Sequence, residues 1–430
     1  MLDPKLLKEN PQILRSMLEN RKFEFPLDDL IALDKRRREL IIQVEEFKRR
    51  KNLLAHVIST KIKAHEDSVA EREEMRGIGT KLMETEQEKK AVDAEFRASM
   101  MTLPNVTDKS VPVGSDEKDN VILRYHGTIP NFDFFLKDHV DVANSLGLLD
   151  LERAAKIAGA RFYFLKNELV KLNLALISYA LDFLAEKGYT LAQPPFMIRK
   201  EAMEGAVILG DFEDMIYKID KDDLYMIGTS EHSMASMHMN EILDGKDLPL
   251  RYASASPCFR KEAGAHGKDT KGIFRVHQFE KVEQFVYSRP EESERQHERM
   301  LAISEEFYEK IGIPCRTVLL CSADLGKTSS KTFDIEAWMP SQTAYREIVS
   351  CSNCADFQAR RLVTRFRDKI NEQTRFVHTL NSTLVATERT MACIMENYQT
   401  SRGTVEVPDV LQQYMAGMKE IRSKNSFNAL

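Results

Sequence analysis

The stretch FRKEAGAHGKDTKGIFRVHQFEKVEQF, residues 259–285, places two extended segments on either side of a glycine-rich loop. In an extended chain, residues two apart point to the same face. The second segment therefore places polar and aromatic residues on one face, namely Arg275, His277, Phe279, Lys281 and Glu283. Val276 and Val282 fall on the opposite face, which suits a hydrophobic core. The alternation predicts a strand with one functional face.

The first segment ends with Arg260 and Glu262 on one side of the chain and Phe259 on the other. Arginines match phosphate oxygens in charge and geometry. An aromatic ring can stack on a base, and carboxylates can accept from amines. The two segments therefore predict a phosphate- and base-binding site, and the loop AGAHGKDTKG (263–272) is expected to close over phosphates or an RNA end. A hairpin whose polar face is only solvated is the alternative.

The surrounding chain favours an α+β fold. Extended runs at 223–231, 251–262 and 272–287 follow one another without a βαβ rhythm, and neither a P-loop nor a dinucleotide fingerprint is present. This pattern predicts an antiparallel β-sheet flanked by helices, with the site on one face. The segment 168–188, apolar on nearly all sides, is expected to be a buried helix that ends at Gly188.

The first hundred residues have a different pattern. Leu33, Leu40, Phe47 and Leu54 recur at seven-residue spacing, and a second helical segment runs from about 68 to 100. The turn-forming KAHEDS separates the two segments. We expect an antiparallel two-helix coiled-coil arm over about 26–100, within an N-terminal domain 1–105 that precedes a second domain, 106–430.

The whole chain has a formal net charge of −5, so any contact with nucleic acid must come from a local basic surface. The arm carries such a strip, and its candidate RNA-backbone contacts are Arg36, Arg37, Lys48, Arg49 and Lys51. A dimerisation rod, or a merely solvated charged face, would also fit this pattern.

The six cysteines form no regular framework, which is typical of reduced thiols in a cytosolic protein. The first residues lack the apolar core of a signal peptide, and no apolar run approaches membrane-spanning length. A cytoplasmic location without membrane association is therefore expected. Cys351 and Cys354 form a C-x-x-C without a second pair at zinc spacing, so we expect buried thiols there and no zinc site.

Residues 259–285 closely resemble motif 2 of class II aminoacyl-tRNA synthetases in its seryl version. Further segments also resemble the family: PP (194–195) resembles motif 1 of the dimer interface, and TSEH (229–232) resembles the serine-binding Thr-x-Glu. YREIVSCSNCADFQARR (345–361) is similar to the metal-site strand, and LNSTLVATERTMACIMENYQ (380–399) is similar to motif 3. The resemblance extends over essentially the whole chain, and the arm resembles the family's tRNA-binding arm.

The resemblance implies a catalytic domain with motifs 1, 2 and 3 in a homodimer. It implies activation of L-serine with ATP to seryl-adenylate, then transfer to the 3′ end of tRNA(Ser) with release of AMP and pyrophosphate. Charging of tRNA(Sec) stays open. Two alternative functions remain. The chain could be a class II-like ligase that acts on a carrier protein, or an inactive RNA-binding paralogue.

The resemblance also implies roles for individual residues. The expected ATP-binding residues are Arg260, Lys261, Glu262, Arg275, Val276, Phe279, Glu347, Ile348, Val349, Ser350 and Arg389. The expected serine-binding residues are Thr229, Ser230, Glu231, Arg260, Glu283, Asn381 and Thr383. Arg260, Arg275 and Arg389 would stabilise the phosphate charge during catalysis. Glu347 and Ser350 would coordinate Mg²⁺, which prefers oxygen ligands.

Two positions depart from many members of the family. Residues 381–383 read Asn-Ser-Thr where many relatives have Asn-Gly-Ser, so Thr383 still supplies a hydroxyl while Ser382 adds bulk. Glu388 stands next to Arg389 in place of a small residue, and a carboxylate there could weaken ATP binding. We expect neither change to remove a group that the chemistry needs.

Overall fold

The computed structural model describes residues 1–212, 214–262 and 271–423. The chain divides into two compact units, Met1–Pro104 and Asn105–Leu430. The predicted domain boundary, after residue 105, lies one residue from this division. Most of the predicted glycine- and lysine-rich loop, residues 263–270, lies outside the described residues.

The first unit is helical. Its helices are α1 (Lys5–Glu9), α2 (Pro11–Asn20), α3 (Leu27–Lys63) and α4 (Val69–Thr102). Helices α3 and α4 pack along each other, which confirms the predicted helical arm. Leu40, Val44 and Leu54 of α3 are buried, as are Leu82 and Phe96 of α4. The seven-residue apolar repeat therefore forms the seam of a coiled coil.

Arg37 interrupts this apolar repeat, and the structure shows how the seam accommodates it. Its Nε donates to Asp93 on α4 at 3.0 Å, and its Nη1 lies 3.6 Å from Asp34. The guanidinium carbon lies 4.8 Å from the ring centroid of Phe96. A charged group inside a helical seam needs such partners because desolvation alone would be unfavourable.

The second unit is mixed. Its helices are α5 (His139–Leu146), α6 (Leu151–Ala158), α7 (Glu168–Glu186), α8 (Lys200–Ala206), α9 (Leu209–Phe212), α10 (Ser230–Ser236), α11 (Ser293–Ile311), α12 (Phe357–Leu362), α13 (Thr387–Asn397) and α14 (Asp409–Gln412). Its first strands are β1 (Val121–His126), β2 (Leu149–Asp150), β3 (Phe164–Leu165), β4 (Thr190–Ala192), β5 (Met197–Arg199), β6 (Leu224–Met226), β7 (Ile242–Asp244), β8 (Leu250–Phe259) and β9 (Gln278–Ser288). The later strands are β10 (Cys315–Leu319), β11 (Lys331–Met339), β12 (Ala344–Asn353), β13 (Arg365–Arg367), β14 (Arg375–Phe376), β15 (His378–Ala386), β16 (Val405–Glu406) and β17 (Glu420–Ile421).

Within the described residues, eight strands form the main sheet in the order β1-β10-β11-β12-β15-β9-β8-β4. Every neighbouring pair is antiparallel except β4 with β8, which is parallel. The observed sheet confirms the predicted α+β class with an antiparallel-dominated sheet. Strand β9 is central, since β8 and β15 pair with it on either side.

The two faces of this sheet have different environments. Helices α7, α11 and α13 pack on one face over a large core that includes Val282, Leu380 and Leu384. Helices α8, α10 and α12 lie on the other side, around a second core that includes Phe285 and Tyr287. Lys281 and Glu283 of β9 share the face of Phe285 and Tyr287, whereas Gln284 bonds Ser304 of α11 on the first face. Because side chains alternate along β9, Val282 faces the first core while Lys281 and Glu283 face the candidate site.

Helix α7 is less buried than its sequence suggests. Leu169, Leu172 and Leu176 are fully buried, but Val170 is 39% exposed and Leu174 is 56% exposed. The expectation of burial on nearly all sides is wrong for the single chain, because one apolar edge of the helix has no cover there. Gly188, at φ 83°, follows the helix in a left-handed conformation.

No helix in the described part of the chain is both long and apolar enough to cross a membrane.

Gly77 and Gly79 provide a test of arm stability. Both lie inside α4, and a Cβ built at either would have no atom within 4 Å. Replacing each with Ala should stabilise α4 by about 1 kcal/mol, since alanine restricts the unfolded chain and favours the helix. Hydrogen–deuterium exchange of α4 amides in the full chain would measure the change.

Gly188→Ala is the matched control. It also has open space around its Cβ position, but its φ is 83°, so Ala should destabilise the protein there. Faster exchange in α4 after Gly77→Ala would contradict the prediction.

Candidate active site

Arg260 directly follows β8 and lies beside an aromatic ring. Its guanidinium carbon is 5.2 Å from the centroid of Phe279, the second residue of β9. Its Nε donates to the carbonyl oxygen of Gly228 at 3.0 Å. These two contacts orient the guanidinium group. Arg260, a predicted ATP- and serine-binding residue, therefore sits next to Phe279, the predicted ATP-binding residue whose ring could stack on a base.

Glu262 and Arg275 lie close together beside the end of β8. Nη1 of Arg275 lies 3.3 Å from Oε2 of Glu262. Glu262 has φ 47°, which is uncommon for a residue other than glycine, and its carbonyl accepts from Arg161 at 3.0 Å. A pocket joins these residues, and its lining is Arg260, Glu262, Phe274, Arg275, Val276, Phe279, Ala386, Glu388 and Arg389.

The strand expected to include Arg275 and His277 is shorter than predicted, because β9 begins only at Gln278. Burial still alternates in the irregular segment before it, since Phe274 and Val276 are buried while Arg275 and His277 are partly exposed. Arg275 still reaches the site because this irregular segment folds over the end of β8.

His277 holds the irregular segment to the end of β8. Its Nδ1 lies 2.9 Å from the carbonyl oxygen of Arg260, and the amide of Arg260 donates to the carbonyl of His277 at 2.9 Å. The ring also packs near Phe162. These contacts give His277 a structural role beside the site.

Arg389, near the start of α13, reaches across to β12. Its Nη1 donates to the carbonyl oxygen of Glu347 at 2.9 Å and lies 3.2 Å from Oε1 of the same residue. Its guanidinium carbon lies 5.3 Å from the ring centroid of Phe274. Arg389 therefore meets the segment that carries Arg275, as a shared phosphate site requires.

A β-bulge brings Glu347 and Ser350 to the same face of β12. Strand β11 pairs Asp334 with Ser350 but Glu336 with Glu347, so β12 has one extra residue between the two pairs. Residues three apart therefore point the same way, which a regular strand would not allow. The sequence alone could not show this register shift.

Glu347 is suited to a cation because its carboxylate stays ionised. Its side chain is 45% exposed. Partial desolvation would raise its pKa, but the guanidinium groups of Arg389, Arg260 and Arg275 outweigh this effect and hold the pKa below its usual value. Asp334 lies opposite Ser350, and its Oδ1 is buried without a hydrogen-bond partner. Burial, then repulsion from Glu347, raises the pKa of Asp334.

The described residues contain no group of three or more His, Cys, Asp or Glu side chains placed to hold a metal ion. A cation at Glu347 and Ser350 would therefore also need oxygens from phosphate or water, which is the usual arrangement for Mg²⁺. The unsatisfied oxygen of Asp334 indicates that the donor set fits such an ion.

The predicted amino-acid pocket lies between β9 and the start of α10. Thr229 caps α10 by accepting from the amide of Glu231 at 3.2 Å, and its hydroxyl donates to Oε2 of Glu283 at 3.1 Å. Lys281 forms an ion pair with the same Oε2. All three side chains, Thr229, Lys281 and Glu283, are buried.

Glu231 completes this pocket. It accepts from Nε2 of Gln358 on α12 at 2.8 Å. Burial, together with the charge of Glu283, raises the pKa of Glu231 to about 7. Its charge therefore changes near neutral pH.

The remaining predicted serine-binding residues are held in the surrounding sheet. Ser230 is buried and accepts from the Ser254 hydroxyl at 2.8 Å. Thr383 lies directly opposite Glu283 across the β15–β9 ladder. The side-chain amide of Asn381 contacts the sulfur of Cys354 at 3.7 Å. Ser382, the departure noted in the sequence, is buried, and its hydroxyl lies 3.4 Å from that of Ser304 on α11. The side chain of Ser382 therefore points to the face of the sheet opposite the one that carries the side chain of Thr383.

Glu388 lines the same pocket as the phosphate arginines, but its carboxylate is occupied by hydrogen bonds. It is buried, accepts from the Tyr163 hydroxyl, and accepts from the amide of Glu280 at 2.9 Å. Thr387 donates to it at 3.0 Å. Burial raises the pKa of Glu388 to about 7. Its carboxylate fixes α13 to β9, which explains how it can stand beside Arg389.

The other predicted ATP-binding residues contribute in different ways. The Lys261 amide donates to Met215 at 2.8 Å, and its ammonium lies 5.9 Å from the ring centroid of Tyr217. The side chains of Val276, Ile348 and Val349 are buried, so only their backbone could face a nucleotide.

The basic residues predicted to bind RNA fall into two groups. Arg36 pairs with Glu88 at 2.5 Å, Arg37 with Asp93 at 3.0 Å, and Lys48 with Glu86 at 2.7 Å, all across the α3–α4 hairpin. Arg49 and Lys51 are exposed, and neither forms an ion pair within the part of the chain that the structure describes. Charge pairs between helices therefore neutralise part of the predicted basic strip.

Three residues of the site have no role in the sequence interpretation. Lys281 lies between Phe279 and Glu283 on the predicted functional face, so strand alternation could have assigned it to the pocket. Asp334 and Gln358 gave no such signal, because their positions depend on pairing and packing between distant segments.

The histidines and cysteines outside the pocket have structural surroundings. His232 is buried, and burial lowers its pKa to about 3. His238 lies 2.8 Å from Glu241 and 3.1 Å from the Tyr252 hydroxyl. All six cysteines are free and buried. Burial raises the pKa of Cys351 to about 12 and also raises that of Cys354, as expected for buried thiols.

Comparison with known proteins supports the architecture of both units. Residues 215–398 match the model of the tRNA synthetase class II core domain (G, H, P, S and T). Residues 1–107 match the model of the seryl-tRNA synthetase N-terminal domain. The fold and the site therefore define a class II aminoacyl-tRNA synthetase.

Individual relatives extend this likeness over the full chain. A serine–tRNA ligase of Nitrosopumilus maritimus is 59% identical over 98% of this chain and 100% of its own length. That of Cenarchaeum symbiosum is 55% identical over 96% of this chain and 99% of its own length. The crystal structure of seryl-tRNA synthetase from Pyrococcus horikoshii, complexed with ATP, matches with a TM-score of 0.93 and 46% identity, covering 98% of this chain and 100% of its own. The chain belongs to the seryl-tRNA synthetase family.

Tyr163→Phe tests the buried hydrogen bond to Glu388. Removing the hydroxyl should lower the free energy of unfolding by about 1–3 kcal/mol, since a buried acceptor loses its donor. The loss should be larger at pH 8 than at pH 6, because Glu388 has a pKa of about 7 and is ionised only at the higher pH. Urea denaturation at both pH values would measure it.

Tyr414→Phe is the matched control, since the Tyr414 hydroxyl donates to the exposed Asp182 at 2.8 Å. We expect a change of less than about 1 kcal/mol there. Equal losses for Tyr163→Phe at the two pH values would contradict the buried-carboxylate interpretation.

Proposed function

We propose that this chain activates L-serine with ATP and transfers the serine to tRNA(Ser). The observation that carries the proposal is the position of two sites side by side on one sheet face. Arg260, Phe279 and Arg275 form a phosphate and base pocket, and Thr229 and Glu283 form a small polar pocket beside it. An amino-acid carboxylate and an ATP α-phosphate can therefore both reach Arg260.

The proposed ATP site contains three arginines near Glu347 of β12. Arg260 would bind the α-phosphate, and Arg275 and Arg389 would hold the γ-phosphate of a bent nucleotide. Glu262 would accept from the adenine amino group and Phe279 would stack on the ring. The ATP complex of the similar Pyrococcus horikoshii enzyme supports ATP as the nucleotide.

Mg²⁺ fits the same site. Glu347 and Ser350 would hold it, with Asp334 next to them on the neighbouring strand. A bound Mg²⁺ neutralises phosphate charge and aligns the triphosphate. We assign zinc no role.

The residues of this site need neither a covalent nucleophile nor a general base. Arg260 would orient the serine carboxylate toward the α-phosphorus and stabilise the negative charge that develops there. The carboxylate oxygen attacks phosphorus, pyrophosphate leaves, and seryl-adenylate forms. The ribose hydroxyl at the 3′ end of the tRNA then attacks the serine carbonyl carbon, and AMP leaves.

Serine recognition would depend on buried polar partners. Glu231 and Glu283 would accept from the ammonium group, and Thr383 and Asn381 would lie near the hydroxyl. Alanine leaves such partners unpaired in a buried site, which disfavours its binding strongly. The buried Thr229–Glu283 hydrogen bond fixes one side of the pocket before serine enters.

The assembly and the RNA contacts complete the proposal. The exposed apolar edge of α7, with Val170 and Leu174, suits a homodimer interface. The arm would contact tRNA through its basic residues, above all Arg49 and Lys51, which are exposed and form no ion pair in the described part of the chain. A cytoplasmic location fits this activity. Neither a carrier-protein substrate nor an inactive RNA-binding role is favoured, since an arm of this family accompanies all the expected site residues.

Amino-acid-dependent exchange between ATP and pyrophosphate tests the activity. Serine should support exchange, whereas alanine and glycine should be at least about 100-fold less efficient, because they leave buried polar groups unpaired. Threonine would be measured in parallel. Transfer of radiolabelled serine to tRNA(Ser) follows in the same preparation. Absence of serine-dependent exchange would overturn the proposal, and exchange without transfer would favour a carrier-protein ligase.

Deletion of residues 28–100 tests the separation of the two units. Adenylate formation should persist, because the second unit contains every residue assigned to ATP and serine. Charging of tRNA should be lost, because the arm is absent. A variant with Arg49 and Lys51 both changed to Ala should weaken charging less than the deletion while leaving exchange unchanged. Loss of exchange in a folded deletion variant would show that the arm contributes to the catalytic site.

A further inference from the structure

A buried ion pair stands at the base of the proposed serine pocket. Lys281 and Glu283 point to the same face of β9, and their side chains form an ion pair at Oε2 of Glu283. Lys281 is 5% exposed and Glu283 is 1% exposed. A buried ion pair loses much hydration, so it needs further contacts to be favourable.

Both donors use one carboxylate oxygen. The Thr229 hydroxyl also donates to Oε2, at 3.1 Å. The partners found for the Glu283 carboxylate in the described part of the chain, Thr229 and Lys281, are both recorded at Oε2. One oxygen is therefore tied to the protein, and the other is the one that a substrate ammonium group can use.

The charges around the pair are nearly balanced. Glu231 on α10 is the second carboxylate of the pocket, and Arg260 after β8 is the second cation. The charge of Lys281 acts on both Glu231 and His232, and His232 has a pKa of about 3, so it is neutral. The other titratable groups facing the pair are buried thiols with raised pKa values, namely Cys258, Cys351 and Cys354.

We propose that Lys281 is a positioning residue for serine recognition, whose ammonium group balances the charge of Glu283 and directs its second oxygen toward the amino group of serine. This inference rests on the proposed function. It adds a residue to which the sequence interpretation gave no role. Lys281 acts through Glu283 and is not itself expected to touch serine.

Removing the ammonium has a defined consequence. Glu231 and Glu283 would remain as two buried carboxylates, with Arg260 as their nearby cation among the described residues. Like charges in a buried site favour uptake of one proton at a higher pH. A protonated carboxyl group binds an ammonium weakly, so the affinity for serine should fall most at low pH.

The test compares Lys281→Gln and Lys281→Met with the unchanged protein. Glutamine keeps a donor for Glu283 without the charge, and methionine removes both, so a folding defect in one variant leaves the other. At pH 7 the KM for serine in the exchange reaction should rise about 30-fold or more, as expected for loss of one partner of a buried charge pair. The KM for ATP should stay within about threefold of the unchanged protein.

The pH profile separates this role from a purely structural one. In the unchanged protein the KM for serine should rise as the pH falls below about 7, where Glu231 takes up a proton. In Lys281→Gln the rise should begin at a higher pH. Adding Glu231→Gln to that variant leaves one carboxylate and should return the midpoint to lower pH.

Lys187→Gln is the matched control, since Lys187 forms an ion pair with Glu306 at 2.5 Å away from the pocket. Its KM for serine should be unchanged. A Lys281→Gln profile parallel to that of the unchanged protein, or equal rises in KM for serine and ATP, would overturn the proposal. Failure of the proposed function is distinct, because the unchanged protein would then show no serine-dependent exchange.

Discussion

The hydrogen-bonded ladders that hold β9 between β8 and β15 determine where the central residues of the proposed serine pocket lie. They pair Glu283 with Ser254 on one side and with Thr383 on the other. Because neighbouring residues in a ladder share a face, these pairings place the polar groups together and send Val282 into the core. A shift of one residue would exchange the two sets and remove the site.

The remaining side chains of the site lie at the ends of neighbouring helices and strands. Arg260 follows β8, Arg389 lies at the start of α13, and Thr229 caps α10. Each is placed by an element whose interior is packed in one of two cores. The site is therefore a product of the sheet register and of three helix and strand ends that meet beside it.

The sequence predicted the sheet class, the helical arm and most of the pocket, because these depend on local periodicity and on a resemblance carried by long motifs. It extended the second strand too far, since the chain before Gln278 is irregular, although Arg275 still lies in the predicted pocket. It also could not show that Glu347 and Ser350 share a face, because that depends on a bulge set by pairing with β11.

The other differences between the sequence expectations and the structure arise from contacts between segments that are far apart in the chain. The sequence left open what the carboxylate of Glu388 would do beside Arg389, and only the packing shows that Tyr163 and the amide of Glu280 occupy it. The expected burial of α7 was wrong for the single chain because Val170 and Leu174 have no apolar cover there. Neither outcome can be obtained from propensities within one segment.

The ion pairs across the arm have a consequence for its behaviour in salt. Binding of RNA to free lysines and arginines releases condensed counterions, roughly one for each phosphate that is neutralised. Arg36, Arg37 and Lys48 already have carboxylate partners on α4, so they add less to this release than exposed residues such as Arg49 and Lys51. RNA binding by the arm should therefore depend less steeply on ionic strength than the number of its basic residues implies.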